Sequence, residues 1–253
     1  MKNERNTAGI VSVTFRPKSP EEIISLSKEA GLLEIEWGGD IHVPHGDIER
    51  ARRVGEATRS AGLSCGSYGS YYRVPADSKG FDDVLATAQA LGSDSVRIWA
   101  GTKGSADSSP DERRALATAL SRDATAAAKK GMTLSFEFHG GTLTDSADSA
   151  LSLLAEAGAD NIFLHWQPNQ YKDVEYNAKA LSLVKERVDR VHVFAWEGDM
   201  RLPLENHRAA WERYIAVLDG AGRNVPYLLE FLPSEDRESL MRDARSIKNL
   251  LKI

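Results

Sequence analysis

The sequence predicts an α/β fold, a single (β/α)8 TIM barrel spanning residues 1–253. Three observations support this prediction. Short segments rich in β-branched and aromatic residues alternate with amphipathic helical segments eight times along the chain. A glycine marks the end of six predicted helices, where a residue that tolerates positive φ is needed. The first strand and its loop, VSVTFRPKSP, lack the glycine-rich turn of an open nucleotide-binding sheet.

The predicted strands and helices follow one another at regular spacing. The strands lie at 9–15, 32–37, 63–68, 94–99, 132–138, 161–166, 189–194 and 226–231. A helix fills each interval and another follows the last strand, so the strands must run parallel. Two helix starts are marked by a capping hydroxyl, a proline and two acids, at Ser19-Pro20-Glu21-Glu22 and Ser109-Pro110-Asp111-Glu112. Eight equal units with no remaining segment favour a closed barrel over an open sheet.

The composition disfavours several classes of function. A formal net charge of −5 argues against a surface that neutralises nucleic-acid phosphates. The chain lacks an apolar stretch long enough to span a bilayer. Its one cysteine, Cys65, has no internal disulfide partner, and MKNERNTAG lacks the apolar core of a signal peptide. We therefore expect a cytoplasmic protein without nucleic-acid or membrane partners, with Cys65 in the core.

The strand ends supply the candidate site residues, because active sites in such barrels lie at the C-terminal ends of the strands. Glu137 ends the fifth strand in LSFEFHGG, His192 lies in the seventh in DRVHVFAW, and Glu230 ends the eighth in YLLEFLP. Two carboxylates and an imidazole at one mouth would destabilise one another unless a cation bound them. These ligands suit one divalent ion, Mn²⁺, Mg²⁺, Co²⁺ or Zn²⁺.

A structural explanation of the same acids stays open beside the metal site. Arg16 or Arg97 could pair with Glu137 and Glu230, since buried acids also form ion pairs that only maintain the fold. The two explanations make different demands on the arginines. A metal site needs free carboxylate oxygens, whereas structural pairing needs guanidinium groups bound to them.

Four segments together resemble a known superfamily: TFRPKSPEE, FEFHGG, VHVFAW and LLEF. They resemble the xylose isomerase-like sugar phosphate isomerase/epimerase superfamily, which includes ketose 3-epimerases, inosose isomerases and dehydratases, and endonuclease IV. The resemblance covers essentially the whole chain. It implies one catalytic divalent ion held by Glu137, His192 and Glu230.

The sixth strand departs from the pattern of that superfamily. LHWQPNQ has Gln167 where relatives carry an aspartate, and Gln170 where a histidine often follows. We expect Gln167 to be the fourth ligand, with His165 as the alternative. An amide oxygen is neutral and binds a metal more weakly than a carboxylate does. We therefore expect a lower metal affinity, or binding only when the substrate is present.

The resemblance also implies a reaction, the isomerisation or epimerisation of a small sugar, sugar acid or related polyol ketone. Glu137 and Glu230 would transfer protons on opposite faces of the substrate, next to its carbonyl, through an enediolate. Aromatic, cationic and hydrogen-bonding side chains near the strand ends are the expected substrate contacts. They are Arg16, Glu36, His42, Tyr68, Arg97, Trp99, His139 and Trp196.

Other functions stay open on the same residues. The scaffold could support a dehydratase of the inosose type, or a barrel that has lost catalysis and binds a sugar. The loop WGGDIHVPHGD, with Asp40, His42 and His45, could bind a second metal or form a polar lid. An endonuclease-like hydrolase is disfavoured, because the chain has six histidines and carries glutamine at 167 and 170. A homo-oligomer is possible, although the sequence marks no interface.

Overall fold

Eight parallel strands close into a barrel, which confirms the predicted (β/α)8 fold. The structure, a computed structural model, describes residues 6–75, 78–222 and 224–253. Around the barrel the strands follow the order β1-β10-β7-β6-β5-β4-β3-β2. The barrel strands are β1 (Thr7–Val11), β2 (Glu34–Gly38), β3 (Ser64–Val74), β4 (Ser95–Ala100), β5 (Thr133–Glu137), β6 (Ile162–Trp166), β7 (Val188–Val193) and β10 (Pro226–Leu229). The short strands β8 (Trp196–Glu197) and β9 (Met200–Arg201) form a separate antiparallel hairpin after β7.

Eight helices surround the barrel among the residues that the structure describes. They are α1 (Pro20–Glu29), α2 (Ile48–Ser60), α3 (Ser78–Leu91), α4 (Pro110–Ala128), α5 (Ala147–Ala157), α6 (Val174–Val184), α7 (Arg208–Asp219) and α8 (Arg237–Leu251). Both predicted helix starts are confirmed as capping boxes. In α1, Ser19 Oγ accepts from the Glu22 backbone N–H at 3.2 Å, while the Ser19 N–H donates to the Glu22 carboxylate at 2.8 Å. Over the described residues, we find no helix with both the length and the apolar composition that a membrane crossing requires.

The first strand is shorter and earlier than predicted, because β1 ends at Val11 and a 3-10 helix follows at Ser12–Phe15. Two hydroxyl groups of this turn bind backbone donors of neighbouring segments. Ser12 Oγ accepts from the Gly38 N–H at 2.8 Å, and Thr14 Oγ1 accepts from the Phe231 N–H at 3.2 Å. The first strand therefore ends where the Ser12 and Thr14 side chains, rather than the backbone of a strand, supply hydrogen-bond acceptors to neighbouring segments.

Polar and apolar residues are divided between the two faces of the sheet. Fully buried apolar side chains such as Trp37, Ile98 and Phe136 belong to the main hydrophobic core, and they alternate along their strands with polar residues. The polar residues meet across the barrel interior, as Glu36 of β2 and His165 of β6 show with a contact of 2.8 Å between strands that are not neighbours. Branched apolar residues fill most such barrels. Here the interior is largely a network of polar groups.

Candidate active site at the C-terminal end of the barrel

The four predicted metal ligands lie next to one another at the C-terminal end of the barrel. Gln167 Nε2 donates to Glu137 Oε1 at 3.5 Å. His192 Nδ1 lies 3.2 Å from Gln167 Oε1 and 3.5 Å from Glu230 Oε2. We call Glu137, Gln167, His192 and Glu230 the carboxylate row. Its members come from the ends of β5, β6, β7 and β10, as parallel strands in a closed barrel require.

Backbone contacts between strand ends hold the carboxylate row in place. The Glu230 N–H donates to the Val193 carbonyl at 2.9 Å, which continues the ladder one residue beyond β10. On the other side, Thr144 Oγ1 donates to the Glu137 carbonyl at 2.7 Å. Both glutamates therefore project from backbone that is bonded to its neighbours, which favours a rigid site.

A second group of possible metal ligands lies deeper in the barrel. Glu36 Oε2 accepts from His165 Nε2 at 2.8 Å and also from Ser67 Oγ, while Glu36 Oε1 lies 3.6 Å from His192 Nε2. One ligand atom from each of Glu36, His165 and His192 lies within 4.8 Å of the others, and within the described ranges this is the one such group of three found. His192 thus faces the carboxylate row with Nδ1 and the deeper group with Nε2.

Buried side-chain atoms without hydrogen-bond partners help to decide whether the residues of the two groups could hold a metal ion. His192 Nε2 and His165 Nδ1 are buried, and neither has a hydrogen-bond partner among the described residues. Such atoms are costly unless something binds them. Carboxylate oxygen, amide oxygen and imidazole nitrogen are also ligands that divalent ions accept. The donor chemistry of the carboxylate row therefore fits a divalent ion, whereas the unpartnered His192 Nε2 faces the deeper group.

Arg97 forms the ion pair that the structural explanation of the acids requires. Its Nε donates to Glu36 Oε1 at 2.7 Å, and its Nη1 is paired with Glu137 Oε2. Arg16, the other candidate, pairs with Asp40 at 2.6 Å instead. One acid of the carboxylate row is thus bound to an arginine, whereas Glu230 Oε2 lies 3.5 Å from the imidazole Nδ1 of His192.

The electrostatics of the cluster follow from burial and close charges. Burial raises the pKa of Glu36, but Arg97, His165 and His192 together bring that pKa well below its usual range. The pKa of Glu230 is raised by burial, an effect that His192 partly offsets. Burial lowers the pKa of His165 despite Glu36. For His192, Glu230 and Glu36 outweigh burial, so its pKa is raised. Glu230 is therefore an acid whose proton is held more tightly than usual, as proton transfer near neutral pH requires.

Several aromatic side chains lie at or just beyond the ends of the barrel strands. The ring centroids of Trp99 and His139 lie 4.7 Å apart. The Tyr71 ring stacks on Trp99, with a centroid distance of 6.4 Å and an angle of 22° between the ring planes. On the other side, Trp196 contacts the Phe231 ring at 5.6 Å. Tyr71 and Phe231 have φ of 58° and 51°, a strained conformation for aromatic residues that is concentrated at functional sites. These walls can stack on the C–H faces of a sugar.

Several predicted substrate contacts have other partners in the structure. The Tyr68 hydroxyl donates to the Val43 carbonyl at 2.8 Å and is fully buried. His42 is buried with Nδ1 2.9 Å from Ser12 Oγ. His45, from the same loop, is exposed. With Asp40 bound to Arg16, the three proposed ligands of a second metal are not brought together.

The sequence interpretation missed part of the interior network. Ser135 Oγ donates to Asp189 Oδ1 at 2.6 Å, and that carboxylate lies 3.6 Å from His165 Nδ1. Ser67 binds Glu36 from the next strand. A signal was present, because polar residues two positions apart on one strand, such as Ser135 and Glu137, share a face. The left-handed backbone of Tyr71 carried no comparable signal, because it is set by the tertiary structure.

The site is closed in this structure, and an open cavity lies at the other end of the barrel. All four residues of the carboxylate row are at most 8% exposed. A cavity of about 1120 Å³ opens at the N-terminal end, where Glu34, Asp189 and Arg190 contribute to its wall. We do not place the site in that cavity, because barrels of this kind carry their chemistry at the C-terminal end.

Comparisons with known proteins agree with the fold. A family model described as a xylose isomerase-like TIM barrel matches residues 24–250. The probable 3-DHS dehydratase AsbF from Bacillus anthracis has a TM-score of 0.80 at 19% identity, covering 96% of this chain and 99% of its own. D-allulose 3-epimerase from Methylomonas sp. has a TM-score of 0.75 at 16% sequence identity, and the match covers 99% of this chain and 100% of that protein. An L-ribulose 3-epimerase has a TM-score of 0.72 at 20% identity, and the match covers 98% of this chain and 95% of that protein. No curated protein sequence matches the chain. At these identities the likeness to solved structures establishes the fold alone.

Proposed function

The chain belongs to the xylose isomerase-like TIM barrel family, and from this premise we propose that it is a divalent-metal-dependent isomerase or epimerase of a small sugar, sugar acid or related polyol ketone. One observation carries the proposal. Glu137 and Glu230 lie at the two ends of the carboxylate row, with Gln167 and His192 between them. Two separated carboxylates at one mouth can serve the two faces of a single carbon.

Glu137, Gln167, His192 and Glu230 would hold one divalent ion, Mn²⁺, Mg²⁺, Co²⁺ or Zn²⁺. When bound, such an ion polarises the carbonyl of the substrate and stabilises negative charge on its oxygen. The deeper group of Glu36, His165 and His192 is the alternative holder. It offers two nitrogen ligands and would suit Zn²⁺ better than Mg²⁺.

The protein side chains handle the proton. In the proposed reaction one glutamate removes the proton from the carbon next to the carbonyl, and the other returns a proton to that carbon or to its neighbour. Glu230 is suited to both steps, because burial raises its pKa above the usual value of a carboxyl group. His192, 3.5 Å from Glu230, orients that carboxylate. The buried site keeps water from the intermediate.

The proposed substrate contacts fall into two sets. Trp99 and Trp196 belong to the aromatic walls of the mouth together with His139, whose Nδ1 lies 2.6 Å from the Gly140 carbonyl oxygen. The other five proposed contacts each have a protein partner that a substrate would have to replace or share. They are Arg16, Glu36, His42, Tyr68 and Arg97. Cytoplasmic location and assembly into a homo-oligomer complete the proposal.

The proposal is tested by solvent deuterium exchange into a panel of ketoses and sugar acids, with bound metal measured on the same preparations. Wild type should incorporate deuterium at carbon next to the carbonyl. Glu137→Gln and Glu230→Gln should each lose at least about a hundredfold of that rate, the usual scale of a catalytic acid or base. Glu56→Gln, on the exposed face of α2, removes the same charge and should leave the rate unchanged. Full exchange in both site variants would refute the roles of these acids.

A dehydratase is the second candidate, and the position of His139 favours it. This imidazole lies two residues beyond Glu137 and packs against Trp99 at 4.7 Å. An imidazole at the rim could protonate a departing hydroxyl after Glu137 or Glu230 has removed the first proton. Product mass separates the reactions, because isomerisation retains the mass of the substrate whereas dehydration loses one water. The third candidate, a sugar-binding barrel without catalysis, is favoured by the ion pair of Glu137 with Arg97 and would bind sugar without any exchange.

A further inference from the structure

We propose that Arg97 competes with the divalent ion for Glu137 and thereby sets the metal affinity of the active site. This inference rests on the proposed function, because it takes the carboxylate row as the metal site. It assigns to Arg97 a role other than the substrate contact expected from the sequence. The guanidinium would act as an internal cation that an incoming ion must displace from Glu137.

The barrel is built to seat this guanidinium. Arg97 has a side chain that is 1% exposed, and its register partner on β3 is Gly69. A Cβ at Gly69 would lie 2.7 Å from Arg97 Nη2 and 2.9 Å from Glu36 Oε1, closer than real Cβ atoms come. The next residue, Ser70, donates its hydroxyl to the Arg97 carbonyl at 2.7 Å. Any larger residue at 69 would push the guanidinium away from the acids.

Arg97 occupies an oxygen that the ion would need. Glu137 Oε2 is paired with Arg97 Nη1, and Glu137 Oε1 accepts from Gln167 Nε2 at 3.5 Å. Both oxygens of this ligand therefore face N–H donors. An ion that binds Glu137 must displace one donor or share its oxygen, and it must do so beside a fixed positive charge in a buried site.

The charge balance of the row makes the competition effective. Two of its four residues, Glu137 and Glu230, are carboxylates, while Gln167 carries no charge. Arg97 neutralises Glu137, and Glu36 holds the other side of the guanidinium through Nε at 2.7 Å. A divalent ion therefore meets less negative charge than the ligand identities suggest. Removing the arginine charge should strengthen metal binding.

Mn²⁺ titration of chelator-treated protein, followed by the electron paramagnetic resonance signal of free Mn²⁺, tests the inference without measuring activity. Arg97→Gln should lower the dissociation constant for Mn²⁺ by about tenfold or more, since a like charge near the ion is lost. Arg97→Lys keeps the charge and should stay closer to wild type. Arg59→Gln removes an equal charge at the opposite end of the barrel, where Arg59 lines the N-terminal cavity, and should leave the affinity unchanged.

A second variant guards against a failure to fold. Arg97→Gln leaves Glu36 without its Nε donor in a fully buried position, which should lower the melting temperature. Glu36→Gln combined with Arg97→Gln removes both charges and preserves the net charge. This double variant should also bind Mn²⁺ more tightly than wild type. Loss of Mn²⁺ binding in the double variant would overturn the inference, because it would identify Glu36 as a ligand.

The remaining outcomes separate this inference from the proposed function. Equal or weaker Mn²⁺ binding in folded Arg97→Gln overturns the role of Arg97, while the deuterium exchange test of the isomerase proposal is unaffected. If neither wild type nor any variant binds Mn²⁺, the inference falls together with the metal site. Tighter binding in Arg97→Gln alongside an unchanged Arg59→Gln supports the competition.

Discussion

Buried charges line the inside of this barrel, and several of them are held by specific partners. Arg97 lies between Glu36 and Glu137, and Glu36 also binds His165. Glu34 is different, because its Oε1 is buried without a hydrogen-bond partner among the described residues. A buried acid without a full set of partners favours its neutral form. Single residues of the interior should therefore make stability depend on pH.

Glu34→Gln tests this dependence at the N-terminal end of the barrel. Burial raises the pKa of Glu34 to about 7, an effect that Arg190 partly offsets. A raised folded-state pKa means that the stabilisation by the neutral form is complete below about pH 4.3, the unfolded value. It is lost as pH rises through about 7. From pH 4.5 to pH 8 the free energy of unfolding of wild type should therefore fall by about 3 kcal/mol more than that of Glu34→Gln. Urea unfolding of both proteins at the two pH values measures this difference. Glu56→Gln serves as the exposed control, and an equal pH response in all three proteins would contradict the assignment.

Gly69→Ala tests the space that the guanidinium of Arg97 needs. The added methyl would lie 2.7 Å from Arg97 Nη2, so the ion pair must shift or the strand must move. We expect a loss of about 1–3 kcal/mol in the free energy of unfolding, the usual cost of overpacking. Gly140→Ala is the matched control, because a Cβ there meets no atom within 4 Å. Equal stability of the two variants would show that the site adapts freely.

At the scale of elements, local sequence signals placed the starts of α1 and α4, whereas tertiary contacts set the end of the first strand. The capping boxes of α1 and α4 formed as predicted, because a Ser-Pro-acid-Glu pattern satisfies the first helical N–H groups within one turn. The first strand was misplaced by several residues. Its end depends on Ser12 and Thr14 binding Gly38 and Phe231, segments far away in the chain. Such partners are not visible in a local pattern.

The cap of α4 gives a prediction at this scale. Ser109→Ala removes the oxygen that accepts from the Glu112 N–H at 3.2 Å. The variant should lose about 1 kcal/mol of unfolding free energy, whereas Ser109→Asp, which keeps an acceptor, should lose much less. Urea unfolding of the two variants measures the difference. Equal losses would show that the hydroxyl does not cap this helix.

At the scale of the whole molecule, the closed barrel explains why the convergence of the candidate site residues could be predicted. Parallel strands deliver their C-terminal ends to one mouth, so Glu137, His192 and Glu230 converge although nearly a hundred residues separate the first from the last. The pairing of Arg97 could not be predicted in the same way. Its choice of Glu36 and Glu137 depends on barrel closure and on the space at Gly69. Strand order across the barrel, rather than spacing along the chain, decides which charges meet.

Anomalous X-ray scattering from crystals grown with Mn²⁺ tests whether the carboxylate row binds a metal, because the signal locates the ion itself. We predict one peak, bounded by Glu137, Gln167, His192 and Glu230. A peak between Glu36 and His165, or no peak at millimolar Mn²⁺, would contradict this prediction.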